Sequence, residues 1–94
     1  MKIGYVTVSN RVMIDGARVR YLYREPPDSD DDSGWRVFSG DESQEYADDP
    51  SNFALYNAST LLAQAPEVRA VIGHPYPVEF EWSDVDERFM SIER

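Results

Sequence analysis

The 94-residue sequence has no cysteine. That absence excludes a disulfide framework, a thiolate zinc site and a cysteine nucleophile. It has one histidine, His74, followed by Pro75. A catalytic dyad or triad needs a base within hydrogen-bond reach of a nucleophile. No nucleophile-elbow pattern surrounds Ser33, Ser39 or Ser43, so His74 reads as a structural or exposed side chain. A phosphate-cradling loop is also missing, because Ser39-Gly40-Asp41-Glu42 lacks the lysine and the glycine spacing. No apolar run approaches the ~18 residues that span a bilayer, and the first residues carry no apolar stretch of the secretory kind. A cytoplasmic location is the expectation. The length suits one domain, expected over residues 1–94.

Basic residues are scarce, 9 against 18 acidic ones, for a net charge of −9. The stretch from Glu25 to Asp49 holds ten acids and a single base, Arg36. The remainder of the chain is balanced, so the whole excess lies in that window. Such a field repels nucleic acid and anionic membranes and attracts basic proteins or cations. Solubility is the plain alternative, since net charge speaks to association and not to fold.

The pattern of apolar residues predicts an α+β fold: a small, mainly antiparallel sheet with two short helices inserted before the last strong strand. Tyr5-Val6-Thr7-Val8 reads as a strand. Asp15-Gly16 between Val12-Met13-Ile14 and Ala17-Arg18-Val19 reads as a hairpin turn. Val19, Tyr21 and Tyr23 alternate with Arg20, Leu22 and Arg24, a second strand that Pro26-Pro27 ends. Asp28 to Gly34 reads as a loop, and Trp35 to Ser39 as a strand. One helical turn is expected around Gln44-Glu45-Tyr46, and Phe53 to Tyr56 is a short strand or an irregular apolar segment. Ala58, Leu61, Leu62 and Ala65 share one helical face, and Pro66 suits the first position of a further helix. Val78, Phe80 and Trp82 alternate with Glu79 and Glu81, the cleanest strand pattern in the chain. Ser83 and Asp86 resemble a capping box ahead of a C-terminal helix carrying Val85, Phe89 and Ile92.

Asp28, Asp30 and Asp32 have the opening spacing of a calcium-binding EF-hand loop. The sixth position, which requires glycine, is Ser33, and the twelfth, which requires glutamate, is Ser39. The template fails, so neither a metal site nor a cofactor is expected. Tyr21, Tyr23, Phe80 and Trp82 are assigned to core packing. Trp35 follows the acidic loop directly. It reads as a core anchor at the loop's foot in preference to an interface hot spot, the other role that favours tryptophan.

The most distinctive stretch is Asp32-Ser33-Gly34-Trp35-Arg36-Val37-Phe38-Ser39-Gly40-Asp41-Glu42, approached by Val19-Arg20-Tyr21-Leu22-Tyr23-Arg24-Glu25-Pro26 and followed by Glu45-Tyr46, Asp49-Pro50, Asn52 and Tyr56-Asn57. Over roughly residues 3 to 90 the chain resembles the Immunity protein 33 family, formerly described as a domain of unknown function. Two stretches depart from that pattern: the extra-acidic Asp28-Ser29-Asp30-Asp31, and Gln64-Ala65-Pro66-Glu67 where a more acidic junction is expected. The resemblance implies a bacterial immunity protein that binds and inhibits a cognate toxin, and it brings no catalytic residues. Together with the charge, it makes a basic toxin or effector the expected partner. Asp30, Asp31, Asp32, Ser33, Gly34, Trp35, Asp41, Glu42 and Glu45 are the candidate partner-binding residues. The rival expectation is an acidic accessory interaction domain of an unrelated process.

Overall fold

A computed structural model describes residues 3–93. Six strands form one mixed sheet: β1 (Tyr5–Ser9), β2 (Tyr21–Arg24), β3 (Asp32–Phe38), β4 (Phe53–Asn57), β5 (Val78–Ser83) and β6 (Arg88–Ser91). Their order is β4-β1-β3-β2-β5-β6, with β1 and β3 parallel and the other neighbours antiparallel. Three short helices, α1 (Asn10–Met13), α2 (Gln44–Ala47) and α3 (Ala58–Gln64), are joined by tighter 3-10 turns at Pro50–Asn52 and Pro66–Ala70. The α+β class read from the sequence is the observed one, including the helical pair before β5.

One face of the sheet carries the core. The registers align Val8, Val37, Leu22 and Phe80 across four strands, and Trp82 with Phe89 across the last two. α3 and the Pro66–Ala70 turn cover this face and add Leu61, Ala65, Val68, Val71 and Ile72 to one buried cluster. Each buried valine, leucine, isoleucine or phenylalanine side chain contributes about 1.5–3 kcal/mol by leaving water.

Three sequence expectations fail. Asp15-Gly16 is not a hairpin turn. Ser9 Oγ accepts from the Arg11 amide and starts α1, which turns Val12 into the core. The Ala17 amide returns to the Arg11 carbonyl at 2.8 Å, with Gly16 at φ +77°, so the same two residues close a helical turn. The C-terminal helix is also absent. The Ser83–Asp86 bonds form, but they close a turn at residues 84–87 that leads into β6. The hairpin sets Phe89 edge-on against Trp82 at 5.1 Å and buries it, which a helix bearing Val85 on the same face would not; Val85 is 93% exposed at the turn. Finally, Tyr21 and Tyr23 do not face the core. Leu22 between them is fully buried, and strand alternation sends both tyrosines to the opposite face.

β3 also begins three residues before the expected position, inside the segment read as a loop. The cause is a bulge. Tyr5 and Thr7 of β1 lie opposite Asp32 and Arg36 of β3, so two residues of one strand oppose four of the other. Gly34 takes φ +88°, and a Cβ there would sit 2.0 Å from the Glu25 carbonyl oxygen. Ser33 fills the gap in the ladder: its hydroxyl donates to the Tyr5 carbonyl at 2.7 Å and accepts the Trp35 amide at 3.0 Å.

Trp35 is fully buried, in agreement with the core reading. Its indole N–H donates to the Ile72 carbonyl at 2.9 Å, tying β3 to the segment after the Pro66–Ala70 turn. Its ring stacks on Phe80, and the Arg24 guanidinium lies 5.7 Å from the ring centre. Replacing it with alanine should cost about 3–5 kcal/mol, measured by urea unfolding. An unchanged midpoint with lost partner binding would place its role at an interface instead.

Candidate functional site

Arg36 lies on the sheet face opposite the core, nearly buried, and carboxylates surround it. It makes a two-pronged pair with Asp32, Nη1 to Oδ1 at 2.9 Å and Nη2 to Oδ2 at 2.8 Å. Its Nε donates to Glu25 at 2.8 Å, and Nη2 reaches Asp28 at 3.4 Å. The bulge makes the pair reachable: in a regular strand, residues four apart are separated by about 13 Å. Here Asp32 and Arg36 span the length of two β1 residues. Asp32 also accepts the amides of Gly34 at 3.0 Å and Asp28 at 2.9 Å, so one carboxylate holds both the bulge and the loop before it.

The hydrogen bonds from Arg36, aided by those amides, hold the Asp32 carboxyl far below the usual carboxylate range, against the opposing effect of its burial. Arg36 is held more firmly protonated in return, chiefly by Asp32. Opposite Arg36, burial first and the Glu25 charge second push the Tyr23 phenol pKa upward, with Arg36 opposing, so Tyr23 is a neutral ring.

A second acidic group follows at the far end of β3. Glu42 folds back so that the Ser39 and Gly40 amides donate to its two oxygens at 2.8 and 2.9 Å. Burial raises the Glu42 pKa, but hydrogen bonds, from the Ser39 amide first and then from the Ser9 and Ser39 hydroxyls, prevail and lower it. Ser39 Oγ donates to Asp41, whose carboxyl lies 3.6 Å from Arg11. The Ser39 bond, ahead of the Arg11 charge, lowers the Asp41 pKa. Arg11 in turn lies over the Tyr46 ring, which clamps α1 to α2.

The nine candidate residues therefore separate into three groups. Ser33, Gly34 and Trp35 are buried and serve the bulge and the core. Asp32 and Glu42 are half-buried and hold backbone amides. Asp30, Asp31, Asp41 and Glu45 are exposed, the first two at one end of β3 and the others beyond its opposite end. His74 is exposed, its ring edge-on to Phe80 at 5.1 Å. Among the described residues no group of three or more histidines and carboxylates is placed to hold a metal ion, and no helix is long and apolar enough to cross a membrane.

Sequence reasoning missed Glu25 and Asp28 as partners of Arg36. A lone base in an acidic window was the available signal. It also missed the aromatic residues beside them: Tyr21, Tyr23, Phe38 and Phe53 share the face of Arg36, with ring centres 5.4–6.0 Å apart along the series. The buried Leu22 between two tyrosines is the signal that would have placed them there.

A carboxylate with a depressed pKa stabilises the fold above the ordinary aspartate range near 3.9 and loses that contribution as pH falls through its folded value. Asp32→Asn should therefore lower stability by about 3 kcal/mol at pH 7. The gap to the parent should narrow as the pH drops below about 4. Urea midpoints measured across pH 2–7 check both outcomes, and a gap independent of pH would refute the assignment.

Set beside protein-family models, residues 6–93 match the Immunity protein Imm33 domain. No curated protein and no solved structure matches the chain. The matched span takes in every strand but the first residue of β1, together with the bulge, the Arg36 cluster and the Ser39–Glu42 turn. The chain belongs to the Imm33 family of immunity proteins, and its role is of the toxin-immunity kind.

Proposed function

We propose that the chain acts as a single cytoplasmic domain that neutralises a basic toxin or effector by binding it directly, without catalysis. The observation that carries this reading is the placement of the charge excess. Asp30, Asp31, Asp41 and Glu45 project from both ends of β3, in the one window where acids outnumber bases ten to one. Exposed carboxylates of this kind steer the encounter with a cationic surface and raise the association rate, while apolar contacts hold the complex. The same field disfavours nucleic acid and anionic membranes as partners. A non-catalytic role is supported by membership of a family of immunity proteins.

The alternative is an acidic interaction domain of an unrelated process, with the charge serving solubility. The two separate on one measurement. Asp30→Asn combined with Asp31→Asn should leave the free protein folded, as read by a cooperative thermal melt. The same pair should slow association with the effector encoded beside the gene by roughly threefold or more at low salt, with the deficit shrinking at high salt. Stopped-flow association at two ionic strengths reads this out. An unaltered rate at low salt would favour solubility.

A further inference from the structure

An open sheet has two edges, and each leaves a row of backbone N–H and C=O groups unpaired. Here the edges are β4 and β6. They are defended differently. β6 opens on Arg88, follows Asp84, Asp86 and Glu87, and has Glu93 beyond it. Charged side chains on and around an edge oppose the addition of a further strand. β4 has no such defence. From Pro50 to Pro66 the chain carries no charged side chain, although 29% of its residues are charged. β4 contains no proline, and its five residues pair with β1 in unbroken register, without a bulge. Among the described residues no strand lies beyond it.

The surface beside this edge is uncharged as well. Leu55, at the centre of β4, is 65% exposed, and Tyr5, opposite Asn57 in β1, is 42% exposed. Two pockets open along the strand. One is lined by Thr7, Ala47, Pro50, Phe53, Ala54 and Leu55. The other surrounds Tyr5, Asn57 and Leu62 at the opposite end. Neither has a charged residue in its lining. A cationic segment gains nothing here, because the edge offers it no carboxylate. The fitting occupant is an extended, uncharged strand, and β4 itself is one. Two copies paired antiparallel about Leu55 set Phe53 opposite Asn57, Ala54 opposite Tyr56, and Leu55 opposite Leu55, so no charge faces a like charge. Such a contact is isologous, since each chain offers the other the same strand. The two leucines stand side by side on one face, with Cβ atoms about 5 Å apart, and cover each other.

We propose that β4 is a self-association edge: two copies of the chain pair β4 with β4 across a twofold axis at Leu55 and join their six-stranded sheets into one. The inference stands apart from the neutralising role proposed above, because the contact uses none of the acidic residues.

The test is sedimentation equilibrium of the free chain from about 10 µM to about 1 mM, the range that reads small, weak interfaces. A reversible dimer should appear. It should tighten by about threefold or more from low to high salt, because salt screens the repulsion between two chains each of net charge −9. Association with a cationic partner has the opposite salt dependence. Leu55→Lys, a change at an exposed position, sets like charges opposite each other and should weaken the dimer about tenfold or more, with a cooperative melt retained at low protein concentration. The absence of native cysteine supplies a second readout. Leu55→Cys should form an interchain disulfide under mild oxidation with diamide, since directly opposed residues have Cα atoms about 4.5–5.5 Å apart, within disulfide reach. Met90→Cys, on the other edge, should not. A chain that stays monomeric at the highest concentration in both salts would overturn the proposal. So would a dimer that folded Leu55→Lys leaves intact, or cross-linking of Met90→Cys equal to that of Leu55→Cys. A monomer whose amides at residues 53–57 shift only on addition of the effector would also overturn it, and would assign the edge to that partner.

Discussion

The pairing of Arg36 with Asp32 is the interaction on which the rest of the structure depends. It is the one place where the acidic window supplies its own cation, and both partners are largely withdrawn from water. Three features rest on it. Asp32 holds the amides of Gly34 and Asp28, and so the bulge and the acidic loop. The bulge sets the register in which Trp35 faces the core and Arg36 faces the opposite side. Arg36 gathers Glu25 and Asp28 beside the aromatic residues of its own face. Without the pair, two strands would lose their alignment and three carboxylates would lose their counter-charge.

The same arrangement explains how a small domain tolerates a net charge of −9. Like charges confined to a short window destabilise a compact state unless local groups answer them. Here the carboxylates are answered one by one: Asp32 by Arg36 and two amides, Glu42 by the Ser39 and Gly40 amides, and Asp49 by the Ser51 amide. Each of these groups has its pKa lowered, so each strengthens the fold while ionised. Exposed carboxylates such as Asp30 and Glu45 remain available for association.

Local signals were legible where they agreed with tertiary packing. The alternation of Val78, Phe80 and Trp82 gave β5, and the helical spacing of Ala58, Leu61 and Leu62 gave α3. They misled where one motif serves two structures. Asp-Gly closes hairpins and helices alike, and only the burial of Val12 decides. A Ser83–Asp86 pair caps a helix or a turn, and the contact of Phe89 with Trp82 chooses the turn. Of the candidate site, the exposed acids were readable from composition. The Arg36 cluster was not, because it joins Glu25, Asp28 and Asp32 through a bulge that strand periodicity does not register. The aromatic face was hidden by a reversal of period: two tyrosines flank the leucine that is buried.

The Asp32–Arg36 coupling can be read directly by a double-mutant cycle. Asp32→Asn, Arg36→Gln and the double variant are unfolded in urea beside the parent chain at neutral pH. A coupling energy of about 2 kcal/mol is the predicted result, since each residue removed leaves the other without its partner. Additivity within about 0.5 kcal/mol would contradict the account, because the bulge, the register and the acidic loop would then stand without the pair.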